Sequence, residues 1–278
     1  MIRNTPPCAN PTAGQFIFNS CAMAKFLAFV ALAAASAVAR LQIVNGTEAP
    51  VGKYTYVTGI RETETGRTIC GASLIAPKVL LTAARCAGEW ANYASVGSHY
   101  TSGSTDGERI KIVKKTLHPK YSEFSDEYDI AIFELESESK VPPVALNWVE
   151  DDATAPGTVA WVRGFGETTK TSSEGQSPYL LETDVKIWTN EDCHKVMIFE
   201  IFPFQVCAGG DGKGFATNDV GGPLTVIRNG VEYVAGVAVW GHRGSWARLP
   251  GVYMRVSSFR DFIEPFLPVT PTTTKPAC

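Results

Sequence analysis

Short runs of β-branched and aromatic residues, each ended by a turn-forming residue, recur along most of this 278-residue chain. They begin near Ile43 and continue to Leu267, and Gly, Pro, Asn or Asp bounds them. Runs of this length and composition are typical of β-strands. In chain order they are YTYVTGI, GASLIAP, KVLLTAA, RIKIVKK, DIAIFEL, TVAWVRGF, PLTVI, VEYVAGVAVW and GVYMRV. The sequence therefore predicts an all-β fold with two halves of about six strands each.

Three local signals add detail to this all-β prediction. Asn229-Gly230 separates two of the runs, and an Asn-Gly pair in that setting predicts a tight hairpin turn. Thr189 and Asp192 have the spacing of a helix-capping box, and the apolar residues between positions 259 and 266 share one helical face. We therefore expect a short helix near Thr189 and a C-terminal helix that closes the fold.

The first 39 residues have the pattern of a leader rather than of a folded segment. Met23 begins a short positive start, an almost wholly apolar stretch follows, and Ala39 ends a small-x-small cleavage site. This pattern is typical of a secretory signal peptide, here residues 23–39. Because a signal peptide begins a chain, we interpret residues 1–22 as a gene-model extension. The leader predicts a secreted, extracellular protein.

The remaining chain has no repeat and no linker long enough to separate independent domains. Residues 150–157 (EDDATAPG) are the best candidate for a crossover between the two halves. Residues 268–278 are rich in Pro and Thr and are predicted to form a disordered tail. Asn45-Gly46-Thr47 is an N-glycosylation sequon, with Asn45 as the acceptor.

Composition and spacing exclude several classes of function. The net charge of −3 argues against nucleic acid as the main partner. No apolar run reaches the roughly 18 residues that a membrane-spanning helix needs. No spacing of His, Cys, Asp or Glu is typical of a metal site, so neither a metal nor a cofactor is expected.

Six blocks of the sequence, in this order, resemble those of the trypsin-like (chymotrypsin-fold) serine proteases. They are IVNGTEAPVGKY, CGASLIAPKVLLTAARC, HPKYSEFSDEYDIAIFEL, FATNDVGGPL, VAVWGHRG and PGVYMRV. The resemblance covers residues 43–267 and implies a double six-stranded antiparallel β-barrel with a C-terminal helix. It also implies the disulfides Cys70–Cys86 and Cys193–Cys207.

Cys278 belongs to neither of these implied pairs. A secreted chain favours disulfides over free thiols. Cys278 is therefore expected either to stay a free thiol or to link this chain to another one.

Two of the three residues that would carry the family's chemistry are replaced. A catalytic histidine is expected before the cysteine of LTAARC, where this chain has Arg85, whose guanidinium cannot accept a proton near neutral pH. A catalytic serine is expected after the aspartate of NDVGGP, where this chain has Val220, whose hydrocarbon side chain cannot attack a carbonyl. The carboxylate is kept as Asp129. By resemblance Arg85 faces Asp129 as a structural partner, so the pattern implies a pseudoprotease without catalytic residues.

The neighbouring loops also depart from the family's pattern. The glycine of the family's oxyanion loop, two residues before the nucleophile, is Asn218 here, and asparagine adopts unusual backbone angles less freely than glycine. The acidic floor of a trypsin pocket falls at Gly214, so selectivity for Lys or Arg is not expected, and Phe215 is placed to plug the cavity. The remaining residues of this loop and pocket are Asp219, Trp240, Gly241 and Gly251.

Activation by cleavage is altered as well. Precursors of the family are cut before an Ile-Val pair, and the new ammonium group pairs with the aspartate beside the nucleophile, here Asp219. Ile43 and Val44 are present, but Gln42 rather than Lys or Arg precedes them. Either another protease trims the chain, or the chain stays precursor-like with no ammonium on Asp219. We favour the second alternative.

Three segments resemble the secreted glucanase inhibitor proteins of plant-pathogenic oomycetes. They are MAKFLAFVALAAASAVA, APVGKYTYVTGIR and ASLIAPKVLLTAARC. Members of that family are inactive trypsin homologues that bind and inhibit host endo-β-1,3-glucanases. The resemblance implies a role in virulence and a secreted protein partner, specifically a plant endo-β-1,3-glucanase. It does not identify the binding surface, for which we take the loops at 218–220 and 240–246 as candidates. Two alternatives stay open: a secreted trypsin-like serine endopeptidase, and a non-catalytic cofactor of a protease cascade.

Overall fold

A computed structural model describes residues 46–125, 127–167, 175–197, 199–241 and 248–268. The leader, the cleavage position before Ile43, the sequon acceptor Asn45 and the tail from residue 269 with Cys278 lie outside these ranges. The described residues contain both halves of the predicted domain.

The first half of the described chain forms a closed six-stranded barrel. Short strand β1 precedes it, and the strands are β1 (Thr47–Glu48), β2 (Val57–Arg61), β3 (Thr68–Ala76), β4 (Val79–Thr82), β5 (Tyr93–Val96), β6 (Glu108–Leu117) and β7 (Ala131–Leu135). The barrel order is β2-β3-β4-β7-β6-β5, with every neighbouring pair antiparallel. The pairing of β2 with β5 closes it.

The second half of the described chain forms an eight-stranded sheet that includes β1. Its other strands are β8 (Ala145–Leu146), β9 (Val159–Gly164), β10 (Leu181–Lys186), β11 (Gln205–Gly209), β12 (Pro223–Arg228), β13 (Val231–Trp240) and β14 (Pro250–Arg255). The order is β1-β10-β9-β12-β13-β14-β11, and β8 pairs with β13 in parallel. A bridge between Ile187 and Ala208 brings β10 and β11 together, so this sheet curls into a second barrel-like unit.

A 3₁₀ turn at Ala84–Cys86 follows β4. The two α-helical segments of the described chain lie where the sequence predicts them. They are α1 (Asn190–Val196) and α2 (Arg260–Ile263), the second between 3₁₀ turns at Val256–Phe259 and Glu264–Phe266. The hydroxyl of Thr189 accepts the Asp192 N–H at 2.9 Å, which confirms the predicted helix start. Phe259 and Ile263 are buried, as the apolar face of the C-terminal segment predicts.

The predicted two-barrel fold is confirmed, and so is the hairpin at Asn229-Gly230. Both turn residues have positive φ, 51° and 76°, and the turn joins β12 to β13. The predicted crossover at residues 150–157 is wrong, because β8 already pairs with β13 of the second sheet. The chain therefore leaves the first barrel between β7 and β8. A two-residue strand carries no periodic pattern, so the sequence does not reveal it.

The two barrels meet through a backbone contact that only glycine permits. The N–H of Gly71 in β3 donates to the carbonyl of Val220 at 2.7 Å. A Cβ at Gly71 would lie 2.7 Å from the Gly222 backbone, and a Cβ at Gly221 would lie 2.3 Å from the Gly71 oxygen. Real side chains do not fit at these distances. The contact holds the segment before β12 against β3.

Candidate functional site

The fully buried carboxylate of Asp129 has Arg85 as its partner. Asp129 lies just before β7 and Arg85 lies in the 3₁₀ turn after β4, and the pairing of β4 with β7 brings the two residues together. The Arg85 backbone N–H donates to Asp129 Oδ1 at 2.9 Å, and its Nε–H donates to Oδ2. The Arg85 side chain is 30% exposed. The guanidinium thus neutralises a carboxylate that burial would otherwise destabilise.

Val220 lies beside this pair, at the contact between the barrels. Its carbonyl accepts the Gly71 N–H and lies 3.6 Å from Cys86 Sγ, and Cys86 directly follows Arg85. The isopropyl group packs against the hydrophobic core. An alkyl group at this position has neither a lone pair that could attack a carbonyl nor a proton to give.

Both predicted disulfides are confirmed. Cys70–Cys86 joins β3 to the turn that carries Arg85. Cys193–Cys207 joins α1 to β11. The first bond links the turn that carries Arg85 to β3. The same strand contacts Val220, because its Gly71 N–H donates to the Val220 carbonyl.

The loop before Val220 holds a second buried carboxylate. Asp219 Oδ1 accepts the Gly166 N–H at 2.6 Å, and Oδ2 accepts the Ala216 N–H at 2.9 Å. Burial raises the pKa of Asp219 to about 7, although these backbone donors oppose the rise. Asn218 has a φ of 73°, in the left-handed region that asparagine tolerates better than most residues. The partnership with Gly166 is not predictable from the sequence, because 53 positions separate the two residues.

Phe215 occupies the space beside Gly251 in the second barrel. A Cβ at Gly251 would lie 2.4 Å from Cε1 of the ring, and a Cβ at Gly241 would lie 4.0 Å from Cζ. The ring also meets Tyr253 edge-on, with 5.2 Å between centroids. Gly214, which precedes Phe215, is buried. The phenyl ring therefore lies against the residues predicted as walls of a specificity pocket.

Trp240 ends β13 and meets Phe199 edge-on, with 5.3 Å between ring centroids. Phe199 is 57% exposed. The sequence does not predict this contact, because Phe199 lies in an irregular segment between α1 and β11. Residues 242–246 of the predicted binding loop lie outside the described residues, so only Trp240 and Gly241 of that loop are placed.

Other parts of the described chain add no further chemistry to this site. A groove of about 850 Å³ is lined by β10, α1 and residues 209–213, and Arg85, Asp129 and Val220 do not line it. Within the described ranges, no group of three or more His, Cys, Asp or Glu side chains could hold a metal ion. No helix in this part of the chain is long and apolar enough to cross a membrane.

Comparison with known proteins agrees with this geometry. The trypsin family model matches residues 43–263. Glucanase inhibitor protein 2 of Phytophthora sojae is 36% identical over 86% of this chain and 86% of its own length. The protein of the same name from Phytophthora infestans is 37% identical over 81% of this chain and 89% of its own length. Trypsin 5G1 of Aedes aegypti is 31% identical over 80% of this chain and 84% of its own length.

A solved structure shows the same fold. Neuropsin, a serine protease expressed in the limbic system of mouse brain, superposes with a TM-score of 0.70. It covers 80% of this chain and 98% of its own, at 24% sequence identity.

We predict that Arg85→Ala lowers the free energy of unfolding by about 2–4 kcal/mol, because Asp129 then keeps a buried charge without its guanidinium partner. The cost is below that of a fully buried pair because Arg85 is partly exposed. Urea unfolding of the variant measures it. The matched control is Lys114→Ala, which breaks the exposed ion pair with Glu134 and costs no more than about 1 kcal/mol. Equal stability of the two variants would contradict the role assigned to Arg85.

We also predict a pH dependence that Asp219→Asn removes. The native chain keeps the Asp219 proton up to about pH 7, whereas the unfolded chain releases it near 3.8. Between these values the native state binds more protons, so the stability of the wild type relative to the variant falls as pH rises, by up to about 4 kcal/mol. Urea unfolding of both chains at pH 4, 5.5 and 7 tests this. A difference that grows with pH would show instead that a cation, such as a new N-terminal ammonium, holds Asp219 charged.

Proposed function

Because this chain belongs to the trypsin family, we propose that it is a secreted, non-catalytic homologue that inhibits another secreted protein by binding it. We propose a plant endo-β-1,3-glucanase as that partner. The observation that carries the proposal is the ion pair of Arg85 with Asp129 beside Val220, in a fold whose relatives include named glucanase inhibitors.

The chemistry of the three side chains supports the non-catalytic part of the proposal. Serine proteolysis needs a hydroxyl nucleophile, an imidazole that takes its proton and a carboxylate that orients the imidazole. We assign Arg85 to the position of the imidazole and Val220 to that of the nucleophile. The guanidinium stays protonated at any physiological pH, and its Nε–H is engaged by Asp129. These positions therefore cannot form an acyl-enzyme.

The pocket beside this site supports the same reading. We assign Phe215, Gly241 and Gly251 to the specificity pocket of the family. The Phe215 ring occupies the space that a Cβ on Gly251 would need, and it lies 4.0 Å from where a Cβ on Gly241 would be. Under this assignment the pocket accepts no long basic side chain, and Gly214 provides no carboxylate to attract one.

The relatives support the choice of partner. The two Phytophthora proteins named as glucanase inhibitors match more than four fifths of this chain, so the likeness involves the whole domain rather than one motif. We propose that residues 43–267 form the inhibitory domain and that residues 23–39 direct its secretion. We propose that inhibition is by steric occlusion, in which the bound chain covers the groove that a polysaccharide chain must enter.

We predict that a serine-directed fluorophosphonate probe does not label the secreted chain. An active trypsin-family protease serves as the positive control. The probe reacts only with an activated serine hydroxyl, and Val220 has none. Labelling of the wild-type chain would contradict the non-catalytic proposal and favour the secreted endopeptidase.

We further predict that the chain inhibits a plant endo-β-1,3-glucanase on a soluble β-1,3-glucan, with saturation at one chain per enzyme molecule. A trypsin in which the nucleophilic serine is replaced by alanine controls for effects of the fold alone. Undiminished hydrolysis at an excess of the chain would overturn the choice of partner.

A further inference from the structure

Phe124 exposes its whole phenyl ring to solvent, five residues before Asp129. No other large apolar side chain in the described part of the chain is as exposed. A ring in this position contributes nothing to the core, since apolar groups stabilise a fold only when they leave water. Its exposure is therefore not explained by folding, and large exposed aromatic groups are enriched in protein interfaces.

The two ends of the loop that carries Phe124 pack in an aromatic stack. The ring of His118, at the start of the loop, stacks on Tyr128 at 5.0 Å, and Tyr128 stacks on Phe204 at 4.4 Å. Phe259 meets His118 and Tyr128 edge-on. Both ends of the loop are thus joined to the second barrel and to the C-terminal helical segment. Burial, and to a lesser degree Lys120, lower the pKa of His118, so the stack holds a neutral imidazole near neutral pH.

The Phe124 ring itself is fully exposed, so it is not held by packing against its neighbours. A phenylalanine side chain has only two rotatable bonds, so its ordering on binding costs less entropy than that of a longer flexible side chain. Within the loop, the Ser122 hydroxyl lies 3.3 Å from the Phe124 N–H that donates to it. An exposed aromatic group of this kind has the feature expected of an interface anchor, which is an aromatic side chain that enters a pocket of its partner.

The charges around the ring define the surface that it fits. Glu123 is exposed next to Phe124, and Glu127 is half-buried at the end of the same loop. The ammonium group of Lys120 lies at the base of the loop, 5.4 Å from the centroid of the Tyr128 ring. Among the described residues of this loop, two are carboxylates and one is a lysine. Electrostatic complementarity calls for basic side chains on the facing surface.

We infer that Phe124 is the aromatic anchor by which this chain docks on its protein partner, in an apolar pocket of the partner that has Lys or Arg side chains at its rim. This inference rests on the proposed function, because it takes a plant endo-β-1,3-glucanase as the partner. It adds to that function the residue that makes the contact, Phe124, and the kind of pocket on the partner that receives it.

Three variants and one control test the inference. The variants are Phe124→Ala, Phe124→Trp and the pair Glu123→Gln with Glu127→Gln. The control is Ile227→Ala, which removes another exposed apolar side chain, 54% exposed, from β12 of the second sheet rather than from the loop that carries Phe124.

Binding of each full chain to a purified endo-β-1,3-glucanase is measured by surface plasmon resonance at low and high salt. Phe124→Ala is expected to weaken Kd by at least about 30-fold, mainly through faster dissociation. Phe124→Trp keeps the anchor and stays within about threefold of the wild type. The glutamine pair lowers the association rate and its salt dependence, whereas Ile227→Ala binds like the wild type.

The outcomes separate this inference from the proposed function. If the wild-type chain binds the glucanase and Phe124→Ala binds equally well, the inference is overturned and the proposed function stands. If the wild-type chain does not bind, the proposed function fails and the inference fails with it. If Phe124→Ala also lowers the thermal unfolding midpoint, the Phe124→Trp variant is used to test the inference. Binding by Phe124→Trp that matches the wild type supports Phe124 as the anchor, and loss of binding overturns the inference.

Discussion

The burial of the Asp129 carboxylate at the edge of the first barrel is the constraint on which the site depends. A carboxylate without exposure to water is stable in its charged form only when a cation or strong donors surround it. Arg85 supplies both a backbone N–H and a guanidinium N–H. The Cys70–Cys86 disulfide then fixes the turn that carries Arg85 to β3. Arginine thus partners this carboxylate without being able to act as a base.

A second constraint positions the rest of the site. The backbone contact of Gly71 with Val220 leaves no room for side chains at residues 71, 221 and 222, so the segment before β12 must pass directly over β3. This close approach places the carbonyl of residue 220 at 3.6 Å from Sγ of Cys86, in the turn that carries Arg85. The Asp219 carboxylate then turns inward, where the backbone N–H groups of Gly166 and Ala216 hold it. Packing thus fixes the segment from Asp219 to Gly222 against the first barrel.

Much of the fold could be predicted from the sequence, because its signals are local. Strand runs, the Asn229-Gly230 turn and the Thr189 cap each depend on a few neighbouring residues, and all three are confirmed. The disulfides followed from resemblance to a family and not from spacing. What the sequence does not reveal is non-local: the two-residue strand β8 has no periodicity, and the contact of Asp219 with Gly166 joins distant loops. The exposure of Phe124 is of the same kind, because an apolar residue in a polar loop does not show from the sequence alone which way it faces.

We propose that this chain acts by binding, with the trypsin-family fold as the support for its surface loops. The most direct test is to incubate the chain with an endo-β-1,3-glucanase, follow the intact mass of the glucanase for many hours, and then dilute the mixture. We expect that inhibition is immediate, that it reverses on dilution, and that the mass of the glucanase does not change. Progressive loss of the intact glucanase with the appearance of cleavage fragments, at a rate proportional to the amount of the chain, would contradict this proposal.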